Sequence, residues 1–448
     1  MISPALFNML LYRSFLGRAA RWNVSESEYN KLRGAFGRMP IVIYLGDFLQ
    51  LKPIGQGGSG VPLIASFREI AAKNIDLPIE FQDAMKLFQF TPVCFELQAS
   101  NRFKEPRLRE LMAFMRNPGT ELPKAIEASW NSACLQPNDP RLLEERFQNG
   151  HRIAIYWDTV VRWMMMRAKR DAAALDTPLY LLQAADLFNP PLTDLSMVAK
   201  LMNQSNPDKT GKMHNLLAIH VGMRVRLLDH LEKSGSGLVK DAEGTVVRIV
   251  VNELDETLEE EAISNSAPTI YLRHMPKGIW VRMDKYVDAP FSKVLQRSDA
   301  TLTLADTKGL VFVEARTAER PFTFRGHSVS RTGWPLSHGR VITAFSCQGR
   351  TMKQGVILDC GRRTDGEHKK DDDDWWLDLY VMLSRATRME DLLLMRAPPA
   401  DFLLQGPPAD LREQLNRFLA RTEQCRDCLL YTSPSPRDLS TSRMPSSA

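Results

Sequence analysis

Apolar residues along this chain come in two rhythms. In IVIYL (41–45), VCFEL (93–97) and RIAIY (152–156) they are continuous, short and rich in β-branched or aromatic types. Such runs predict strands buried on both faces, the kind that fill a parallel sheet and carry ligand groups in the loops at their carboxyl ends. Elsewhere the spacing is helical. Leu108, Leu111, Met112 and Met115 make one stripe that ends at Pro118-Gly119. DTVVRWMMMRAKRDAAAL (158–175) follows RIAIY as a second helix, its Met and Trp residues reading as core filling. Residues 3–36 read as helix and loop.

The middle of the chain changes character. GMRVRLL (222–228), GTVVRIVV (244–251), TIYLRHM (269–275), GIWVRM (278–283) and GLVFVEA (309–315) are short, and several alternate apolar residues with arginine between Gly, Asp or Pro turns. They predict a small antiparallel barrel or sheet across 222–330, inserted in an otherwise α/β chain. Its arginine faces suit phosphates, and solvated strand faces carry arginine equally often. From 335 the α/β pattern returns with RVITAF, GVILDC, the helical WWLDLYVMLSRA and the strand LLLM.

Composition narrows the class without naming it. The 448 residues leave room for two or three domains. The apolar share of 44% with 25% charged residues suits real cores, and the net charge of +5 leans only mildly towards polyanions. No apolar stretch approaches the ~18 residues of a membrane span, so none is expected. Cys94, Cys134, Cys347, Cys360, Cys425 and Cys428 are scattered, which suits a reducing intracellular compartment, and Cys425-x-x-Cys428 has no second half to complete a metal site. The first 25 residues hold three arginines and no acid, as a mitochondrial transit peptide does; an amphipathic helix is the favoured reading. DGEHKKDDDDWW (365–376) is a solvated charge run or a loose divalent-metal ligand set, the former preferred. LLYTSPSPRDLSTSRMPSSA at the end resembles a translated sequencing adapter, or else a disordered tail, so 426–448 are set aside.

Four stretches carry chemistry. In Gly46-Asp47-Phe48-x-Gln50 the amide of Gln50 both donates and accepts, so it can touch a terminal phosphate and its attacking water together; Asp and Gln at strand ends also serve as turn formers. Arg102, at the head of the 108–115 helix, and Arg385, in Leu383-Ser384-Arg385-Ala386, offer the always-ionised planar fork that phosphoryl transfer needs, although a surface role explains either one alone. Thr343-Ala344-Phe345-Ser346-Cys347-Gln348-Gly349-Arg350-Thr351 follows a strand. Its hydroxyls, amide and glycine-freed backbone suit phosphate contact, and Phe345 suits either stacking on an unpaired base or packing beside a turn.

In this order and spacing the four stretches resemble the motifs of superfamily-one DNA helicases of the PIF and RecD type, over roughly 40–396. IYLGDFLQLKPIG is similar to their third motif, LQASNRFKEPRLRELMAFMR to the fourth, TAFSCQGRT to the fifth and YVMLSRA to the sixth. NLLAIHVGMRVRLLDHL and GLVKDAEGTVVRI resemble the entry to that family's inserted barrel. The resemblance implies an α/β fold of RecA-like, P-loop NTPase-type parallel sheets with ATP and Mg2+ between two domains, single-stranded and forked DNA as partners, and a monomer. It divides the chain into the C-terminal part of a truncated first RecA-like domain (1–120), the start of the second (121–221), the barrel (222–330), the rest of the second (331–400), a C-terminal helix (401–425) and the tail. By residue it implies Gln50, Arg102 and Arg385 as catalytic groups, Asp47, Gln348 and Gly349 at the nucleotide, Thr343, Phe345 and Ser346 at DNA, and no metal ligand. It further implies movement from the five-prime end, work in DNA repair, recombination or telomere maintenance, and a place in the nucleus or mitochondrion.

The sequence departs from that pattern in places. Phe345 and Ser346 stand where the family has His and Lys, and Lys240-Asp241 where it has Asn-Gly. G-x-x-x-x-G-K-[ST] occurs nowhere: KTGKMHN (209–215) has the Gly-Lys but neither the loop glycine nor the hydroxyl. With the Asp-Glu pair for Mg2+ also missing, Met1 is expected to be an internal methionine, and the chain a fragment that is inactive alone. The competing expectation is a nucleic-acid-binding or scaffold protein without ATPase activity. A metal enzyme has no support in the spacing of the eight histidines.

Overall fold

The computed structural model describes residues 3–22, 42–53, 60–96, 102–192, 194–204, 206–232, 237–264, 268–286, 309–366 and 369–432. The chain divides into two compact units. One comprises 1–133, 362–389 and 398–448, the other 134–361 and 390–397.

The first unit is helical among its described residues. Its core gathers Phe7 from the Pro4–Trp22 helix, Val61, Leu63 and Ala65, and Met85 and Phe88 from the Ile79–Gln89 helix. Tyr44, Phe48 and Phe418 pack against it; Phe48 stacks on Phe418 of the Ala409–Thr432 helix with ring centroids 5.2 Å apart. That helix runs on to Thr432, into the stretch set aside from the sequence. The helical stripe held: Leu108, Leu111, Met112 and Met115 are all buried in the Pro106–Arg116 helix. Proline at its first turn satisfies the φ that a helix start needs and gives up a donor that would have no partner there. The Asp372–Leu383 helix packs on it within the same unit.

Two strand expectations need correction here. Residues 42–47 and 93–96 are not strands: neither has a ladder partner among the described residues, and Ile43 and Leu45 are 74% and 88% exposed. Strand propensity alone does not form a strand, because the ladder also needs a neighbour whose donors and acceptors match. Ile41 and Leu97 lie outside the described residues.

The second unit is built on sheets. Four parallel strands run in the order Val341–Thr343, His151–Ala154, Val356–Asp359, Leu392–Met395. The sheet grows from the 151–154 strand to one side and then to the other, which makes a topological switch at its carboxyl edge. The Trp157–Ala174 helix covers it with Val160, Trp163 and Met164 buried, as core filling requires. Close approach fixes two glycines: a Cβ on Gly150 would stand 1.9 Å from the Gly355 carbonyl oxygen.

The arginine-alternating strands form an antiparallel sheet ordered Leu336–His338, Arg224–Leu227, Glu243–Val250, Gly278–Met283, Leu310–Val313. Val225, Val246, Ile279, Val281 and Val313 face the core. Two details differ from expectation. An edge strand comes from beyond 330, and Thr269–Tyr271 pairs instead with Leu179–Gln183 in another sheet. The ladder is open among the described residues; no pairing closes it into a barrel.

Candidate functional site

The sequence-derived residues fall into two groups, one in each unit. In the first, the turn after residue 46 is tied by its own aspartate. Asp47 accepts from the Leu49 N–H at 3.1 Å and from the Gln50 side-chain amide at 3.3 Å, while buried Leu49 and Leu51 pin the turn from inside. Arg116, last residue of its helix, lies 3.6 Å from the same carboxylate. Two residues on, Lys52 reaches Asp374 at 2.7 Å. Burial lowers the Lys52 pKa, but Asp374 outweighs it and holds the ammonium above its ordinary value.

The two arginine motifs meet in this unit. Arg102 donates to the Ser384 carbonyl at 3.3 Å, and Lys104 N–H to the Thr387 carbonyl at 3.0 Å, so residues 102–104 lie alongside 384–387. Arg385 is 0% exposed and donates to the Val381 carbonyl at 2.8 Å and the Ser384 hydroxyl at 2.5 Å. Between these parts sits Tyr380. Burial pushes its phenol up to about 12; Arg116 and Arg385 pull it down and Asp47 raises it further. Asp47 thus gathers Gln50 and Arg116, and Arg102 meets the backbone beside Arg385, all in one unit, with the charges of Arg116, Asp47 and Arg385 felt at Tyr380. Arg116 was visible only as a helix end and Tyr380 only as an apolar position in YVMLSRA. Asn101 lies outside the described residues.

Three further features have plain accounts. The acidic run is a cap and a set of ion pairs: Asp371 caps the Asp372–Leu383 helix by accepting from Asp374 N–H at 2.7 Å, and Asp372 pairs with Arg362. No metal-ligand cluster is present among the described residues. A surface cavity of about 270 Å³, rimmed by Lys52, Glu69 and Lys73 over Val61 and Ile70, is lined by none of Asp47, Gln50, Arg102 and Arg385.

In the second unit, Thr343 ends its parallel strand at the carboxyl edge and caps the short Ala344–Cys347 helix, accepting from Ser346 N–H at 3.2 Å and donating to the Ser346 hydroxyl at 3.1 Å. The two hydroxyls expected at DNA are therefore hydrogen-bonded to each other. Phe345 is 41% exposed and Cys347 is buried. Gln348 closes the helix, and Gly349 takes φ +79°, with nothing within 4 Å of where a Cβ would be. Only glycine adopts that backbone freely.

No protein-family model matches the chain, and no curated protein matches it in sequence. Solved structures match in shape. The Pif1 helicase from Bacteroides in complex with ADP-AlF3 and ssDNA shares 17% identity at a TM-score of 0.51, over 93% of this chain and 72% of that one. The Bacteroides Pif1 bound to ssDNA gives 16% and 0.49 over 93% and 72%, and the Candida albicans Pif1 helicase 13% and 0.47 over 93% and 74%. On the first of these, the chain shares an α/β, RecA-like fold with that Pif1 helicase.

A nucleotide fits the first group only in part. Arg102, Arg385 and Gln50 are donors suited to a terminal phosphate, whereas the loop amides that cradle the inner phosphates belong to a sequence motif absent from these 448 residues.

Proposed function

We propose that this chain is the C-terminal portion of an ATP-dependent DNA helicase that moves along single-stranded DNA in the five-prime to three-prime direction, in the nucleus or mitochondrion. The supporting observation is the meeting of Arg102 with the Ser384 carbonyl in the unit that also holds Asp47 and Gln50, since a phosphate-sensing constellation needs all of them at one place. ATP with Mg2+, when bound, supplies the phosphoryl group whose hydrolysis drives the cycle. The chain's own groups then have defined tasks. Gln50 orients water with one amide while Asp47 holds that amide in place. Arg102 is half-buried and, among the described residues, held by its bond to the Ser384 carbonyl, so it is the readier source of positive charge. Arg385 serves only after exchanging its bonds to Val381 and Ser384. Thr343, Phe345 and Ser346 face single-stranded or forked DNA, and Gln348-Gly349 links that face to the nucleotide.

The full burial of Arg385 favours a second reading, a nucleic-acid-binding or scaffold protein without ATPase activity. Dye-labelled single-stranded DNA titrated with the chain at several salt concentrations tests both. Binding should weaken with a log–log slope of about −0.7 per phosphate contacted; no binding at low salt ends both readings. ATP hydrolysis is measured beside it, on this chain and on one extended by any upstream coding sequence. Hydrolysis stimulated by DNA and lost in Arg102→Ala and Gln50→Ala establishes the motor. Binding with no hydrolysis in either form establishes the scaffold.

A further inference from the structure

Arg350 follows Gln348-Gly349 directly, and its guanidinium turns inward. One nitrogen donates to the Glu243 carboxylate; the other donates to the Asp241 carbonyl at 3.2 Å and lies 3.4 Å from the Asp241 carboxylate. Neither acid belongs to the Arg350 segment. Both sit where the chain enters the Glu243–Val250 strand of the antiparallel sheet.

Asp241 has a cost to explain. Its φ is +69°, a conformation that a residue with a Cβ adopts against steric resistance and that glycine takes freely. Its carboxylate accounts for the choice, because it also holds Arg226 at 2.7 Å. Arg226 is 1% exposed, and its Nε and Nη2 have no partner among the described residues, so without Asp241 a buried guanidinium would lose its counter-charge. Glu243 is shared in the same way: Arg224 lies 3.4 Å from it and bonds Asp284 at 2.8 Å. The result is an alternating ladder, Asp284, Arg224, Glu243, Arg350, Asp241, Arg226, contained in one unit.

The turn just before Arg350 adjoins the middle of this ladder. Gly349 has open space around it, and the backbone bonds there are Gln348 N–H to Phe345 at 3.2 Å and Arg350 N–H to Cys347 at 3.1 Å. We infer that Arg350 is a positioning residue: clamped by Asp241 and Glu243, it sets the Gln348-Gly349 turn and the Thr343–Ser346 edge in the geometry that receives single-stranded nucleic acid. The inference rests on the reading that this edge meets DNA. Its chemistry separates it from a direct phosphate contact, because both terminal nitrogens of Arg350 are engaged by Glu243 and Asp241.

Glu243→Gln provides the decisive test, since electrostatics and positioning predict opposite signs. Removing a negative charge beside bound DNA should tighten binding; loosening the clamp should weaken it. With fluorescein-labelled oligothymidylate and the full chain, the clamp predicts affinity lower by about fivefold or more in Glu243→Gln and in Arg350→Gln. It also predicts an unchanged salt slope and partial recovery in Arg350→Lys. Amide hydrogen exchange at 343–350 should accelerate in both glutamine variants with or without oligonucleotide. Tighter binding in Glu243→Gln, or a slope reduced by about 0.7 in Arg350→Gln, overturns the proposal. Wild-type chain that ignores oligothymidylate while exchange still accelerates in the variants overturns the DNA reading and leaves the clamp standing. Unchanged exchange overturns the clamp whatever the DNA does.

Discussion

IVIYL at 41–45 and VILD at 356–359 look alike as sequence, and they end differently. Val356, Ile357 and Leu358 are buried in the middle of a parallel sheet, bonded on one side to 151–154 and on the other to 392–395. Residues 42–45 have no ladder partner among the described residues, and alternate side chains stand in water. A strand is thus a property of a pair: apolar, β-branched residues make it affordable, and a neighbour with matching donors makes it form. The contrast extends to the units that contain them. One buries its chemistry between helices and turns; the other places it at the edge of a sheet.

The largest effect should come from a charge placed where the pairing is complete. Leu358 stands opposite Ile153 and Leu394 and is fully buried. Leu358→Lys should cost about 4 kcal/mol or more, because an ammonium there has neither water nor a partner. Urea denaturation followed by circular dichroism should show the second unit unfolded or nearly so. A loss under 1 kcal/mol would mean that the sheet's centre is open to solvent.

How much of this was legible beforehand follows the same division. The strands at 151–154, 224–227, 243–250, 278–283, 310–313, 341–343, 356–359 and 392–395 were announced by their apolar runs, because each found a neighbour. Their pairing order was not, since nothing in TIYLRHM says that it joins a parallel partner at 179–183 rather than the arginine-bearing sheet. The site residues were legible as motifs, and the resemblance set Arg102 and Arg385 at one nucleotide; the bond from Arg102 to the Ser384 carbonyl was not legible, because the two lie 282 positions apart in the chain. The burial of Arg385 was hidden too: a lone arginine in sequence carries no sign of which way it turns.

A smaller effect separates the units by the sign of their response to acid. In the second unit burial pushes His151, His214 and His338 down to about 3, helped by Arg340 and Arg350 at His151, by Arg226 and Arg331 at His214, and by Arg167 at His338. Each stays neutral in the fold and charges near its ordinary 6.5 when unfolded. Their contribution is therefore complete above 6.5 and lost as pH falls towards 3, by about 2 kcal/mol for the three together between pH 7 and 6. Asp378 of the first unit runs the other way. Burial pushes it up to about 6 against the pull of Lys370, so its contribution is complete below the ordinary 3.8 and lost as pH rises through 6. Hydrogen exchange between pH 7 and 5, corrected for intrinsic rate, should show protection falling around residues 151, 214 and 338 while it holds around 378. Parallel losses in both places would refute the opposition.

The smallest effect bears hardest on the opening contrast. Ile43 is 74% exposed, so replacing it removes almost no burial, and Ile43→Lys should change stability by no more than about 0.5 kcal/mol. Its neighbour should behave otherwise. The Tyr44 ring lies 5.7 Å from Phe7 and 5.3 Å from Phe88, so Tyr44→Ala should loosen the aromatic core of the first unit and lower the urea midpoint clearly. The two substitutions together ask whether one face of the segment is anchored while the other is open, as an extended stretch with no ladder partner among the described residues requires. If Ile43→Lys proved as damaging as Leu358→Lys, residues 42–45 would be covered on both faces in solution. The strand reading of IVIYL would then be correct, and the difference between the two runs would lie in what each pairs with, no longer in whether it pairs.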